Sequence, residues 1–168
     1  MSLFAMASFA SYQTHLKAFG IGMVLAALGV GGYLYFGPSA SANLPTVTVY
    51  KSPSCQCCSK WVTHMEEQGF SVEVESKLRV GPVKEQVGLP SSLAACHTAV
   101  VGDYVVEGHV PSQQVKRLLR ERPDVRGLSV PGMPVGSPGM ERGNRVEPYE
   151  VVAFTPSGDT TVFARYGQ

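Results

Sequence analysis

TVTVY at 46–50 alternates polar and β-branched positions and predicts a strand, and KSPS after it turns the chain. From Cys55 to Gln68 the period changes: Cys58, Trp61, Val62 and Met65 fall on one helical stripe, with Gly69 as a C′ stop. FSVEVE at 70–75 alternates again, and PVKEQVGLP at 82–90 predicts a short helix between two prolines. TAVVGDYVVEGHV at 98–110 predicts a β-hairpin turning at Gly102 and Asp103. SQQVKRLLRERP at 112–123 is an amphipathic helix with Ser112 as its N-cap and Pro123 beyond its end. Residues 127–148, GLSVPGMPVGSPGMERGNRVEP, hold too much Gly and Pro for regular structure, and a loop this long in a small domain is usually functional or mobile. YEVVAF and TTVFARY then predict a C-terminal hairpin around PSGD, and no internal repeat is visible.

Before the first strand the pattern is different in kind. Residues 18–37, AFGIGMVLAALGVGGYLYFG, carry no charge and are long enough to cross a bilayer as a helix, which takes about 20 apolar residues. Lys17 precedes the run and GPSASAN follows it, with Ala40 and Ala42 in the small-x-small pattern that a signal peptidase cuts after. Residues 1–42 therefore read as a cleaved signal peptide or an uncleaved membrane anchor, and residues 43–168 as one exported domain. Both alternatives place the domain outside the cytoplasm, since the positive charge precedes the span. With Lys17 set aside, the remaining 13 Lys+Arg meet 13 Asp+Glu, so nothing points to nucleic acid as a partner.

The element order β-α-β-α-β-β-α, with CxxC at the first strand-to-helix junction, is the thioredoxin-like layout. The expected fold is α/β: a thioredoxin-like mixed sheet with flanking helices, plus the Gly/Pro-rich loop and the C-terminal hairpin, preceded by an N-terminal hydrophobic helix. Three of the four cysteines, Cys55, Cys57 and Cys58, crowd into SPSCQCCSK. In an exported protein four cysteines usually make two structural disulfides, but a Cys55–Cys58 bridge closes too small a loop to restrain the unfolded chain much. At a helix N-terminus the first cysteine is favoured as thiolate, the form that attacks disulfides and binds metals.

A dithiol exchange enzyme needs one attacking and one resolving sulfur, so a spare thiolate at Cys57 invites wrong pairing. Crowded thiolates are better explained by a soft metal: copper(I), zinc or an iron–sulfur centre. Met133 and Met140, in loop PGM triplets, tilt the list toward copper(I), since thioethers suit copper and are unusual for zinc. Structural zinc would prefer two separated Cys/His pairs, which the chain lacks. Cys96 lies just before the TAVV strand, where thioredoxin-like proteins usually carry a cis-proline, and is expected to place a fourth sulfur opposite the other three.

CQCCSKWVTHMEEQGF, ACHTAVVGDYVVEGHVP and VPGMPVGSPGME resemble the CopG-like family of periplasmic copper-binding proteins, over about residues 46–155. The resemblance implies a thioredoxin-like fold, copper(I) bound by clustered cysteines, and a role in bacterial copper resistance with other periplasmic copper-handling proteins as partners. It carries redox activity on copper only weakly.

The remaining candidates divide by position. His109, in EGHVP, can return beside the cysteine turn. His97 should point away from the site if Cys96 points into it, because neighbours on extended chain alternate. His64, two helical turns from Cys57, reads as a surface histidine, and His15 lies in the leader. Met65 shares the stripe of Trp61 and reads as core, and Arg117, Arg120, Arg122 and Arg126 as a solvated helix face and its exit. The leading expectation is a domain binding more than one copper(I) ion through Cys55, Cys57, Cys58 and Cys96, with Met133, Met140 and His109 closing the site. The alternative is a periplasmic thiol–disulfide or copper oxidoreductase in which Cys55 attacks and Cys58 resolves. A zinc-stapled structural module is the third reading.

Overall fold

The structure, a computed structural model, describes residues 44–168. The signal peptide or anchor expected at 1–42 lies outside the described residues. Among those described, no helix is long and apolar enough to cross a membrane.

Seven strands form one mixed sheet in the order β2-β1-β3-β4-β5-β6-β7. The first half holds β1 (Val47–Lys51), α1 (Gln56–Glu67), β2 (Val72–Ser76), α2 (Gly81–Gln86) and a 3-10 turn at Ser91–Leu93. The hairpin β3 (Thr98–Val101) and β4 (Tyr104–Glu107) follows, then α3 (Ser112–Glu121), β5 (Gly127–Ser129), β6 (Tyr149–Phe154) and β7 (Thr160–Tyr166). β1 pairs parallel to β2 and antiparallel to β3, so the β1–α1–β2 crossover and the β3–β4 hairpin share one sheet. β1 buries Val47 and Val49 on alternate positions, as its pattern predicts, and also Lys51, one residue beyond the predicted strand. The stripe on α1 is buried as expected, with Cys58, Trp61 and Met65 fully covered and Val62 nearly so. Trp61, Val62 and Met65 join Ala99, Val101, Val106 and Leu118 in the main core.

Three expectations are corrected. The helix predicted at 82–90 ends at Gln86, because Gly88 takes a positive φ of 72° that a helix cannot continue through. Ser112 is not the N-cap of α3; Pro111 holds that position, and Ser112 is buried within the first turn. Residues 127–148 are not wholly irregular, since β5 pairs parallel to β4 and antiparallel to β6. Gly127 makes the first of these pairings: a Cβ there would lie 1.8 Å from the Val105 carbonyl oxygen. Through β5 the C-terminal hairpin β6–β7 extends the main sheet and does not stand apart from it.

Candidate functional site

β1 ends at Lys51 and the chain turns through Ser52–Ser54 into α1, whose N-cap is Cys55. Its sulfur accepts from the Cys58 backbone N–H at 3.4 Å, which holds Cys55 Sγ against the positive end of the helix. Cys55 and Cys58 are joined as a disulfide, and Cys57 and Cys96 are free thiols. Cys57 Sγ stands 3.5 Å from Cys55 Sγ.

Cys96 comes from the other side of the site, in the segment between the 3-10 turn and β3. As expected, it meets the other three cysteines: the four sulfurs all lie within 4.8 Å of one another. Burial, and then the charge of the nearby Cys57, push its thiol up to about 12, so without a cation it is protonated. His109, just after β4, also returns to the site. Its Nδ1 lies 2.7 Å from the Pro138 carbonyl oxygen, and since a carbonyl only accepts, Nδ1 carries the proton. That leaves Nε2 of the neutral ring with a lone pair facing Cys96 Sγ at 3.1 Å. A second-sphere carbonyl that fixes the tautomer and aims the other nitrogen is the usual support of a metal-ligating histidine.

His97 departs from its expected place. Its ring is fully buried between Trp61, with centroids 4.6 Å apart, and His109, edge-on at 5.1 Å. Nδ1 lies 3.5 Å from Cys96 Sγ, so Cys96, His97 and His109 form a second group of potential ligands. Alternation fails here because the residues precede β3 and follow no pleat. Burial holds the His97 ring well below the ordinary histidine range, in its neutral form, and its Nε2 has no hydrogen-bond partner.

Met133 and Met140 line a cleft of about 380 Å³ together with Cys57, Lys60, Glu141 and Arg142. Met133 is exposed and Met140 half-buried, and both share this cleft with Cys57. His64 is not a plain surface residue. Its Nε2 accepts from the Ser112 backbone N–H at 3.2 Å and so caps α3.

Two supporting features have little signal in sequence. Beneath Cys96, the fully buried Glu107 accepts from Lys84 Nζ, from the Ala95 backbone N–H at 2.6 Å and from Thr98 Oγ1 at 2.7 Å. It thereby pins both flanks of the Cys96–His97 pair. Burial pushes its carboxyl above the ordinary glutamate value, against the pull of the Lys84 ammonium. Above the site, Gly139 lies so close to α1 that a Cβ would stand 2.7 Å from the Cys57 carbonyl oxygen. The second PGM triplet was the only visible trace of that contact.

Residues 93–140, which include Cys96, His97, His109 and both loop methionines, match a family model described as a protein of unknown function, DUF411. No curated protein matches the chain. Among solved structures, copper resistance protein CopG in its form 1 is 43% identical, with a TM-score of 0.71, covering 74% of this chain and 99% of that one. Form 2 of the same protein is 44% identical, with a TM-score of 0.70 and the same coverage. The chain belongs to the CopG-like family. The alignment takes in nearly the whole length of those two structures, so the resemblance is not confined to the cysteine motif.

Proposed function

We propose that this is an exported, thioredoxin-like copper(I)-binding domain of copper resistance, taking copper as cargo on Cys55, Cys57, Cys58 and Cys96. The observation that carries this reading is the convergence of all four sulfurs within 4.8 Å from two separate parts of the chain. Thiolates are soft donors and select copper(I). Four of them carry about four negative charges, which several sulfur-bridged copper(I) ions balance better than one. The thioethers of Met133 and Met140, in the cleft that Cys57 also lines, suit capture and release of the ion, and His109 Nε2 adds a nitrogen donor beside Cys96. The names of the two CopG structures support the assignment to copper resistance. Export, by a signal or an anchor at 1–42, rests on the apolar run at 18–37. Intact mass of the protein from membrane and periplasmic fractions checks it.

A second reading is favoured by the Cys55–Cys58 disulfide. In an oxidoreductase, that dithiol would give two electrons to two copper(II) ions, forming one S–S bond and releasing two protons. Titration of the anaerobically reduced protein with copper(I) tests the first reading: binding of more than one ion supports it, and saturation at one ion or none overturns it. Cys57→Ser separates the two readings. It should lower copper stoichiometry while leaving thiol–disulfide exchange through Cys55 and Cys58 intact; copper binding unchanged in this variant would remove the third thiol from the site.

A further inference from the structure

We infer that Cys57 and Cys96 form a second dithiol–disulfide couple, so that the pocket stores four electrons in two pairs. The chain has four cysteines in all. With Cys55 and Cys58 joined, the two that remain free are Cys57 and Cys96. Each therefore has one partner left, and their sulfurs already lie within 4.8 Å. Both are half-buried free thiols, and a bond between them brings the Cβ atoms to about 3.5–4.5 Å. Cys57 lies on the wall of the cleft beside Met133 and Met140, so an oxidant reaches it without the domain opening.

The two couples differ in what they hold together. Cys55 and Cys58 are three positions apart on one helix turn, and their bond restrains little. A Cys57–Cys96 bond would tie the start of α1 to the segment ahead of β3, closing a loop that contains β2 and α2. Its formation should therefore raise the melting temperature as well as consume thiols. With copper(II) as the oxidant the step balances: two S–H bonds break and one S–S bond forms. Two electrons pass to two copper(II) ions, and two protons go to solvent. Both couples together would reduce four copper(II) ions per chain. This copper stoichiometry rests on the function proposed above, whereas the existence of the second bond does not.

The fully reduced protein, treated anaerobically with the thiol oxidant diamide, should lose all four thiols as a monomer. Tryptic peptides 52–60 and 85–116, which carry the trio and Cys96, should be recovered cross-linked. Loss of only two thiols, with peptide 85–116 free, overturns the inference. In the Cys55→Ser/Cys58→Ser double variant, diamide should link the same two peptides; thiols that stay free, or that link separate molecules, overturn it. Should that variant not fold, Cys57→Ser and Cys96→Ser in the otherwise intact chain must each form one disulfide where wild type forms two. Excess copper(II) with a copper(I)-specific chelator should yield four copper(I) ions from wild type and two from either single variant. A diamide bond without copper reduction would overturn copper(II) as the oxidant and leave the second couple standing.

Discussion

Cys55, Cys57 and Cys58 occupy the first turn of one helix, whereas Cys96, His97 and His109 are gathered from the two ends of a hairpin. The first group is held by local geometry: a helix N-terminus orients the sulfurs, and Cys58 Sγ is anchored by burial on the apolar stripe. The second is held by buried polar contacts, with Glu107 beneath it and the Pro138 carbonyl behind His109. Local geometry survives most substitutions around it, because the helix supplies its own hydrogen bonds. Buried polar contacts fail when any one member is lost, because the others are left unpaired in a medium that does not solvate them. The helix side of the pocket should therefore be robust and the hairpin side fragile.

The largest test of that contrast is Glu107→Leu. It takes the carboxylate away from the Ala95 N–H and the Thr98 hydroxyl and leaves the Lys84 ammonium only the Thr98 oxygen to donate to, next to the segment that carries Cys96. Removing one partner of a buried ion pair costs about 3–5 kcal/mol, which chemical denaturation of the reduced protein would measure. At temperatures where the variant remains folded, the Cys96 thiol should react faster with an alkylating reagent while Cys57 is little changed. Equal acceleration at both would show that the two sides of the pocket are not independently held.

How each side could be read from the sequence follows the same division. The trio, the stripe Cys58–Trp61–Val62–Met65 and the β3–β4 turn at Gly102–Asp103 are short-range patterns, and all appear where periodicity puts them. The approach of Cys96 to the trio followed from element order, because a strand that pairs antiparallel to β1 must begin near where β1 ends. The ring of His97, the clamp of Glu107 on Ala95 and the cap of His64 on α3 depend on chain segments up to 48 residues apart. No local period encodes them. β5 escaped notice for a related reason: its three residues, Gly-Leu-Ser, have little strand propensity, and its two neighbours in the sheet decide its conformation.

A smaller effect comes from the loop packed against the helix side at Gly139. Gly139 has φ of 86°, and a Cβ would stand 2.7 Å from the Cys57 carbonyl oxygen and 2.9 Å from the Trp61 nitrogen, both backbone atoms. Gly139→Ala forces a left-handed alanine against a helix that cannot yield, at a cost of about 1–3 kcal/mol. Relief by lifting the 137–140 segment would carry Pro138 away from His109 and free Nδ1. The expected result is a lower denaturation midpoint with copper bound more weakly but in unchanged number. A drop in number would mean that the loop holds an ion of its own.

The smallest predicted effect lies outside the pocket and tests whether α1 is coupled to the hairpin side through α3. His64 on α1 accepts the Ser112 N–H at the start of α3, the helix that follows His109 by a few residues. His64→Ala removes that acceptor, and loss of a helix N-terminal acceptor costs about 1 kcal/mol. The contact also titrates. Burial holds the His64 ring below its ordinary value of 6.5, opposed by the charges of Glu141 and Glu67 and aided by Lys116. A depressed folded value means that the unfolded chain takes up the proton first, so stability falls as pH drops. The contribution is complete above 6.5 and is lost as pH falls through the lower folded value, because a protonated Nε2 cannot accept from Ser112. Unfolding curves at pH 7.5 and in mildly acidic buffer should show wild type and His64→Ala converging as the pH drops. A gap between them that stays constant with pH would mean that His64 acts by packing alone, and that the two helices are joined by apolar contact without a switchable hydrogen bond.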